Sequence, residues 1–239
     1  MLTNKIEFIP LPTKGFEYNF PHPTSAQETS PDWYKDQPSS FSKENEDRNL
    51  NLTVKKCLPF FDAMTMGYLL KMPVDLYLNT KNKKIEWYIS EEFSFVKDIM
   101  INWHSSKHIS HYPSKSSFYV DDLLRINPMW MTRTPKGYSS FFTSPIHQSN
   151  IPIKAIEAVV DTDNFLTAGL NSFFLEKDFE GVIKQGTPIL QIIPFKRDSW
   201  EMDINMHNDP DAISVQRKKG AGLYPNAYRK WAWEKKNFN

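Results

Sequence analysis

Short runs in which apolar and polar residues alternate, each closed by turn-forming residues, fill the middle of this chain. Val74-Asp75-Leu76-Tyr77-Leu78-Asn79 alternates with period two, Lys81-Asn82-Lys83-Lys84 interrupts it, and Ile85-Glu86-Trp87-Tyr88-Ile89 resumes it. That pattern predicts a hairpin. Leu52–Leu58, Tyr138–Ser144, Ile156–Val160, Asn171–Leu175 and Ile189–Ile193 predict further strands. Strands recurring at short intervals, with Gly or Pro between them, favour a barrel or sandwich over βαβ units. Val120-Asp121-Asp122-Leu123-Leu124-Arg125 is the best candidate for a short helix, and no internal repeat is present.

Residues 1–50 read differently. They hold six of the 17 prolines, and each Pro fixes φ and turns its predecessor away from the helical region. An extended arm is expected, yet Phe8, Ile9, Phe16, Tyr18, Phe20, Trp33 and Tyr34 punctuate it. Seven large apolar groups suit an arm that lies across the domain or a neighbouring subunit. Within it, Pro31–Lys35 predicts a capped turn or a single helical turn. Residues 51–200 form the expected core domain, and residues 201–239 an aromatic, basic tail.

From Val215 to Asn239 seven basic residues face one acid, a net +6 that leaves −5 for the rest of a chain totalling +1. Tyr228–Lys235 predicts two helical turns after Pro225-Asn226. Cations alternating with Tyr224, Tyr228, Trp231 and Trp233 would suit nucleic acid, through phosphate neutralisation and base stacking. The favoured reading is that the aromatics dock the tail, since burying each large ring is worth about 1.5–3 kcal/mol; nucleic acid is not the expected partner.

Composition narrows the classes. At 239 residues, 40% hydrophobic and 14% aromatic, the chain supports a real core in one large domain or one domain with appendages. A net charge of +1 excludes a globally basic nucleic-acid coat. The single cysteine, Cys57, excludes a disulfide framework and multi-cysteine metal sites, and is expected to be a buried core thiol. Met1–Pro12 lacks the long apolar stretch of a signal peptide, and no run approaches the roughly 18 apolar residues that span a bilayer. A cytoplasmic protein with no membrane contact is expected, in the host cytoplasm or the virion if phage-encoded.

The strongest chemical signal is a pair of segments. Ala158-Val159-Val160 runs into Asp161-Thr162-Asp163, which places two carboxylates at a strand end on the same side of the chain. Gly181–Ile193 then reads as strand, turn at Gly186, strand, with Gln191 between apolar neighbours. These segments resemble motifs of the dUTPase and dCTP-deaminase superfamily. Ile183, Gly186, Ile189, Gln191 and Ile193 match the spacing of one family motif, and Pro135-Lys136-Gly137-Tyr138 through Ser144-Pro145 matches another. The resemblance covers Pro135 to Phe195. It implies a mainly β fold with a β-barrel or β-clip core, a homotrimer with sites between subunits, and dependence on Mg²⁺ if the chain hydrolyses triphosphates. It also implies Asp161 as the residue that orients and activates the attacking water, and Asp163, Phe165, Ser144 and Gln191 as nucleotide-binding residues; the residues themselves favour Asp161 and Asp163 as caps of a turn at the strand end.

The departures bear on activity. Asn164 stands where the family has its stacking Tyr, although Phe165 is adjacent. Ser144 is followed by Pro145-Ile146-His147 in place of the phosphate-binding Arg-Ser-Gly, and Lys219-Gly220-Ala221-Gly222 is a remnant of the Gly-rich C-terminal arm. Triphosphate chemistry depends on such positioned donors. A non-catalytic β-clip protein without a cofactor, binding a partner chain or a nucleotide, is therefore expected ahead of a divergent Mg-dependent deoxynucleoside triphosphate pyrophosphatase.

A second resemblance runs through Pro31–Lys35, Cys57–Tyr68 and the Asp161 and Gly186 segments. Together they resemble a family of unknown function from tailed phages and some bacteria, which implies a phage-type accessory or structural role. His104, His108 and His111 would share one face of a helix and suit a metal, but Ser105, Ser106, Ser110 and Pro113 make a poor helix, so an exposed polar loop is expected and no metal. Asp62 reads as an N-cap for Ala63–Tyr68.

Overall fold

The computed structural model describes residues 4–11, 20–40, 52–81, 85–109, 111–112, 119–148, 150–166, 171–204, 209–211, 213–214, 217 and 227–238. Phe16, Tyr18, the turn at 82–84, Tyr224 and the Gly-rich remnant at 219–222 lie outside these residues. Two compact units form: Met1–Ala26 with Gly67–Arg197, and Gln27–Met66 with Asp198–Asn239.

The first unit holds every strand of the described residues: β1 (Glu7–Pro10), β2 (Thr24–Ser25), β3 (Tyr68–Lys71), β4 (Leu76–Asn79), β5 (Glu86–Tyr88), β6 (Ile101–His104), β7 (Tyr119–Ile126), β8 (Trp130–Arg133), β9 (Tyr138–Thr143), β10 (Ile153–Ala155), β11 (Ala158–Val160), β12 (Asn171–Glu176), β13 (Glu180–Ile183) and β14 (Pro188–Lys196). They pair antiparallel in four sheets, ordered β11-β9-β14-β3-β2, β10-β12-β7-β6, β13-β4-β5 and β1-β8. Mainly β is therefore the class of the described residues. The expected barrel is corrected: each sheet ends on open edges, and no closed barrel forms among the described residues.

One core joins the sheets. Leu70, Phe142, Leu190 and Ile192 from the five-stranded sheet meet Ile101, Leu124, Ile126 and Phe173 from the four-stranded one, with Leu76, Leu78 and Ile183 from the third. The predicted hairpin is present as β4–β5, with Asn79 opposite Glu86. The proline-rich arm contributes β1, which ends at Pro10 on a two-stranded pair where a missing N–H is tolerated.

Two element predictions fail for physical reasons. Val120–Arg125 is strand, not helix: β7 pairs with β12 on one edge and β6 on the other, and the adjacent Leu123 and Leu124, which point to opposite faces, are each buried. Leu52–Leu58 is not a strand. Thr53 Oγ1 accepts the Lys55 N–H and caps a 3₁₀ turn at Val54–Lys56, and Pro59 sits in the first turn of a helix, where its absent N–H costs nothing.

The second unit contains α1 (Asp32–Asp36), α2 (Leu58–Thr65) and a C-terminal helix at Ala227–Trp231. Tyr34 of α1 is buried, stacking on Phe60 with ring centroids 6.3 Å apart. Asp62 is inside α2 and caps nothing; its Oδ2 accepts the Trp233 indole N–H at 2.9 Å and the Lys236 ammonium at 2.9 Å. Gln27 donates to the Lys236 carbonyl at 2.7 Å. The tail is thus docked at Trp233 and Lys236. Cys57 is exposed rather than buried, because it precedes α2 at its N-terminal boundary.

Candidate functional site

The Asp-Thr-Asp segment leaves β11 and turns at once, with the Asn164 and Phe165 N–H groups both donating to the Asp161 carbonyl. Period two divides its side chains. Thr162 points inward, fully buried, and its hydroxyl bonds Thr134 Oγ1 at 2.7 Å and Ser140 Oγ at 2.9 Å. Asp161 and Asp163 point the other way and meet one cation, Arg197.

Arg197 follows β14 directly. Its backbone N–H donates to the Gly137 carbonyl at 2.9 Å, which extends the β14–β9 ladder by one bond and aims the guanidinium at the turn. Nη1 reaches Asp163 Oδ1 at 2.9 Å and Nη2 reaches Asp163 Oδ2 at 2.5 Å, a bidentate fork. Nη1 also reaches Asp161 Oδ1 at 3.2 Å, Ser139 Oγ at 3.1 Å and the Tyr138 carbonyl at 3.0 Å. Gly137 closes the ring by donating its N–H to Asp163 Oδ2 at 2.8 Å. Gly137 can do so because its φ of +89° belongs to the left-handed region that glycine enters freely.

The two carboxylates differ in environment. The Asp163 side chain is 1% exposed beneath an Arg197 that is 35% exposed. The Arg197 hydrogen bonds, then the Gly137 N–H, hold its carboxyl down at about 2, and the bond to Asp163 raises Arg197 in turn. Asp161 is 59% exposed; Oδ1 accepts from Ser139 Oγ at 2.6 Å and from Arg197, and Oδ2 accepts no hydrogen bond among the described residues. Such a network joins three chain segments with fixed charges.

The other predicted residues divide into two places. Phe165, 55% exposed, stays with the aspartates. Gln191 and Ser144 are at the far end of β9, since Gln191 pairs with Thr143 while Ser139 holds Asp161. Four residues of strand separate those ends, about 13 Å. Gln191 is fully buried and its Oε1 accepts the Ile146 N–H at 2.7 Å. Ser144 Oγ accepts the Ala155 N–H at 2.8 Å. Both side chains brace the turn that follows β9.

Mg²⁺ seeks several carboxylate, phosphate or water oxygens in octahedral array. Of the four oxygens in the Asp161–Asp163 pair, all but Asp161 Oδ2 already accept from Arg197, Ser139 or Gly137. These residues do not fit the ion. The three histidines do not share a helical face either: His104 ends β6 and His108 lies in a 3₁₀ turn at Ser106–Ile109, and no group of three metal-ligating side chains forms among the described residues. Arg197 was missed by sequence reading. Its only trace is a cation one residue beyond the last strand, opposite a Pro-x-Gly turn. Among the described residues no helix is long and apolar enough to cross a membrane. Comparison with family models, curated proteins and solved structures finds no match to this chain.

Proposed function

We propose that this chain is a non-catalytic accessory or structural protein of phage type, built on a dUTPase-like β-clip frame, and that it works by holding a partner chain. The observation that carries this reading is the segment Asp198–Ile204. It has no regular secondary structure, lies outside every strand, and alternates polar with apolar residues: Trp200 is 91% exposed, Met202 83% and Ile204 66%. Period-two apolar residues belong on a sheet face, and burying each is worth about 1.5–3 kcal/mol. Strand addition to another chain is the mode of recognition that uses such a segment. The partner we assign is a second copy, in a closed homo-oligomer that the superfamily resemblance makes a trimer.

The alternative, a divergent deoxynucleoside triphosphate pyrophosphatase, draws on the exposed Asp161 side chain with the exposed Phe165 nearby in sequence. Occupation of the remaining carboxylate oxygens by Arg197, Ser139 and Gly137 speaks against it. Light scattering at micromolar concentration tests the proposal. A multimeric mass that falls to monomer in Trp200→Ser/Met202→Ser supports it, and a monomeric wild type refutes it. A pyrophosphate-release screen over all deoxynucleotides with Mg²⁺ is expected to be blank.

A further inference from the structure

Period two also divides the sheet β10-β12-β7-β6. Ile101, Leu124, Ile126 and Phe173 face the core. The opposite face carries Asn102 and His104 from β6, Arg125 from β7 and Ser172 from β12, beside the buried Leu123 and Phe174. Arg125 is directly across from both Asn102 and Ser172. Ser172 Oγ is hydrogen-bonded to His104 Nδ1, and His104 Nε2 to His108 Nδ1 at 3.0 Å, with the two rings edge-on at 4.7 Å. One guanidinium, two imidazoles and a hydroxyl therefore occupy a single patch.

Arg125 is the anomaly. Its Nε is buried and has no hydrogen-bond partner. Among the described residues it forms no ion pair, whereas Arg133 has Glu7 and Arg197 has Asp163. A guanidinium carries five donors and a permanent charge, and burying even one of those donors without an acceptor is costly. Crowding shows at His104 too: burial, then Arg125 and His108, push it below the usual imidazole range. Neither histidine has a carboxylate partner among the described residues.

We infer that Asn102, His104, His108, Arg125 and Ser172 form a binding site for a phosphate-type oxyanion. The Arg125 fork would take two of its oxygens, as guanidinium does with phosphate. Ser172 Oγ and the outer N–H of His108 would take the others, His104 bridging the two, and the anion would supply the counter-charge that Arg125 lacks.

The test titrates the full-length, ¹⁵N-labelled chain with inorganic phosphate, and separately with a mononucleotide, at matched ionic strength in chloride. Saturable shifts of the Asn102, His104, Arg125 and Ser172 amides are expected with phosphate. Equal affinity for the mononucleotide marks the phosphate group alone as the recognised part, and tighter binding marks a phosphorylated ligand as its source. Arg125→Met should weaken phosphate at least about tenfold, as loss of a charge-assisted bidentate contact does, and should melt no lower than wild type in its absence. Arg133→Met, whose partner is Glu7, should leave phosphate affinity unchanged. If Arg125→Met does not fold, Ser172→Ala serves in its place, with a weaker phosphate titration expected and an unchanged one counting against the site. Shifts that grow linearly with phosphate, or that survive Arg125→Met undiminished, overturn the inference.

Discussion

Gly67 and Gly186 have nearly the same backbone conformation in opposite surroundings, which makes them a matched pair. Their φ values are +76° and +83°, both in the region that an L side chain enters at about 1–2 kcal/mol. At Gly186 an added Cβ would meet nothing within 4 Å. At Gly67 it would lie 2.1 Å from the Ile192 carbonyl oxygen, in the middle of β14. Strand β14 pairs there with both β3 and β9, so it cannot retreat without loosening ladder bonds worth about 0.5–1.5 kcal/mol each. Gly186→Ala should therefore cost about 1 kcal/mol once the lower entropy of its unfolded chain is counted. Gly67→Ala should cost about 3–5 kcal/mol, a large part of a domain's total stability. Urea unfolding of the two variants, compared through midpoints at unchanged slope, measures the difference directly. Equal losses would refute the reasoning, because they would mean that β14 does not pass over Gly67.

Asp163 has a depressed carboxyl, near 2, so its contribution to stability is complete above the unfolded value of about 4 and is lost as pH falls toward 2. Asp163→Asn should flatten the stability-versus-pH curve in that window, and an unchanged acid limb would contradict the clamp. Gln191→Leu leaves the Ile146 N–H without its acceptor and should cost about 1–3 kcal/mol by denaturant titration; a neutral result would remove Gln191 from the brace. Trp233→Phe deletes the donor to Asp62 and should raise amide exchange at residues 233–236 while the strands of the first unit stay protected. Cys57, being exposed, should react stoichiometrically with a thiol reagent in the native protein; a reaction that needs denaturant would contradict its placement.

Alternation was legible where one face is buried and the other wet, as in β4 and β5, whose turn residues also announced the hairpin. It failed at β7. There Leu123 and Leu124 are buried on opposite faces, and a doubly covered strand has no period to read. The aspartate pair was legible as a pair because Val160 ends in a turn, but the identity of its partner was not. Arg197 is 34 residues from Asp163 in sequence, and only the β14–β9 register brings it back to the Gly137 turn. Likewise, Arg125 and His104 belong to one patch through strand pairing alone. Gln191 illustrates the reverse case. Its place between Leu190 and Ile192 marks it as conspicuous, yet burial and the bond to Ile146 make it a brace for the β9 turn.

Under the proposed function, the exposed segment Asp198–Ile204 pairs with a second copy of the chain. Amide hydrogen exchange along residues 199–204, followed as protein concentration is raised through the micromolar range, tests it most directly. These amides should become protected alternately as the multimer forms, and Trp200→Ser/Met202→Ser should abolish the protection. Unprotected exchange at every concentration, in a chain whose mass stays monomeric, would contradict it.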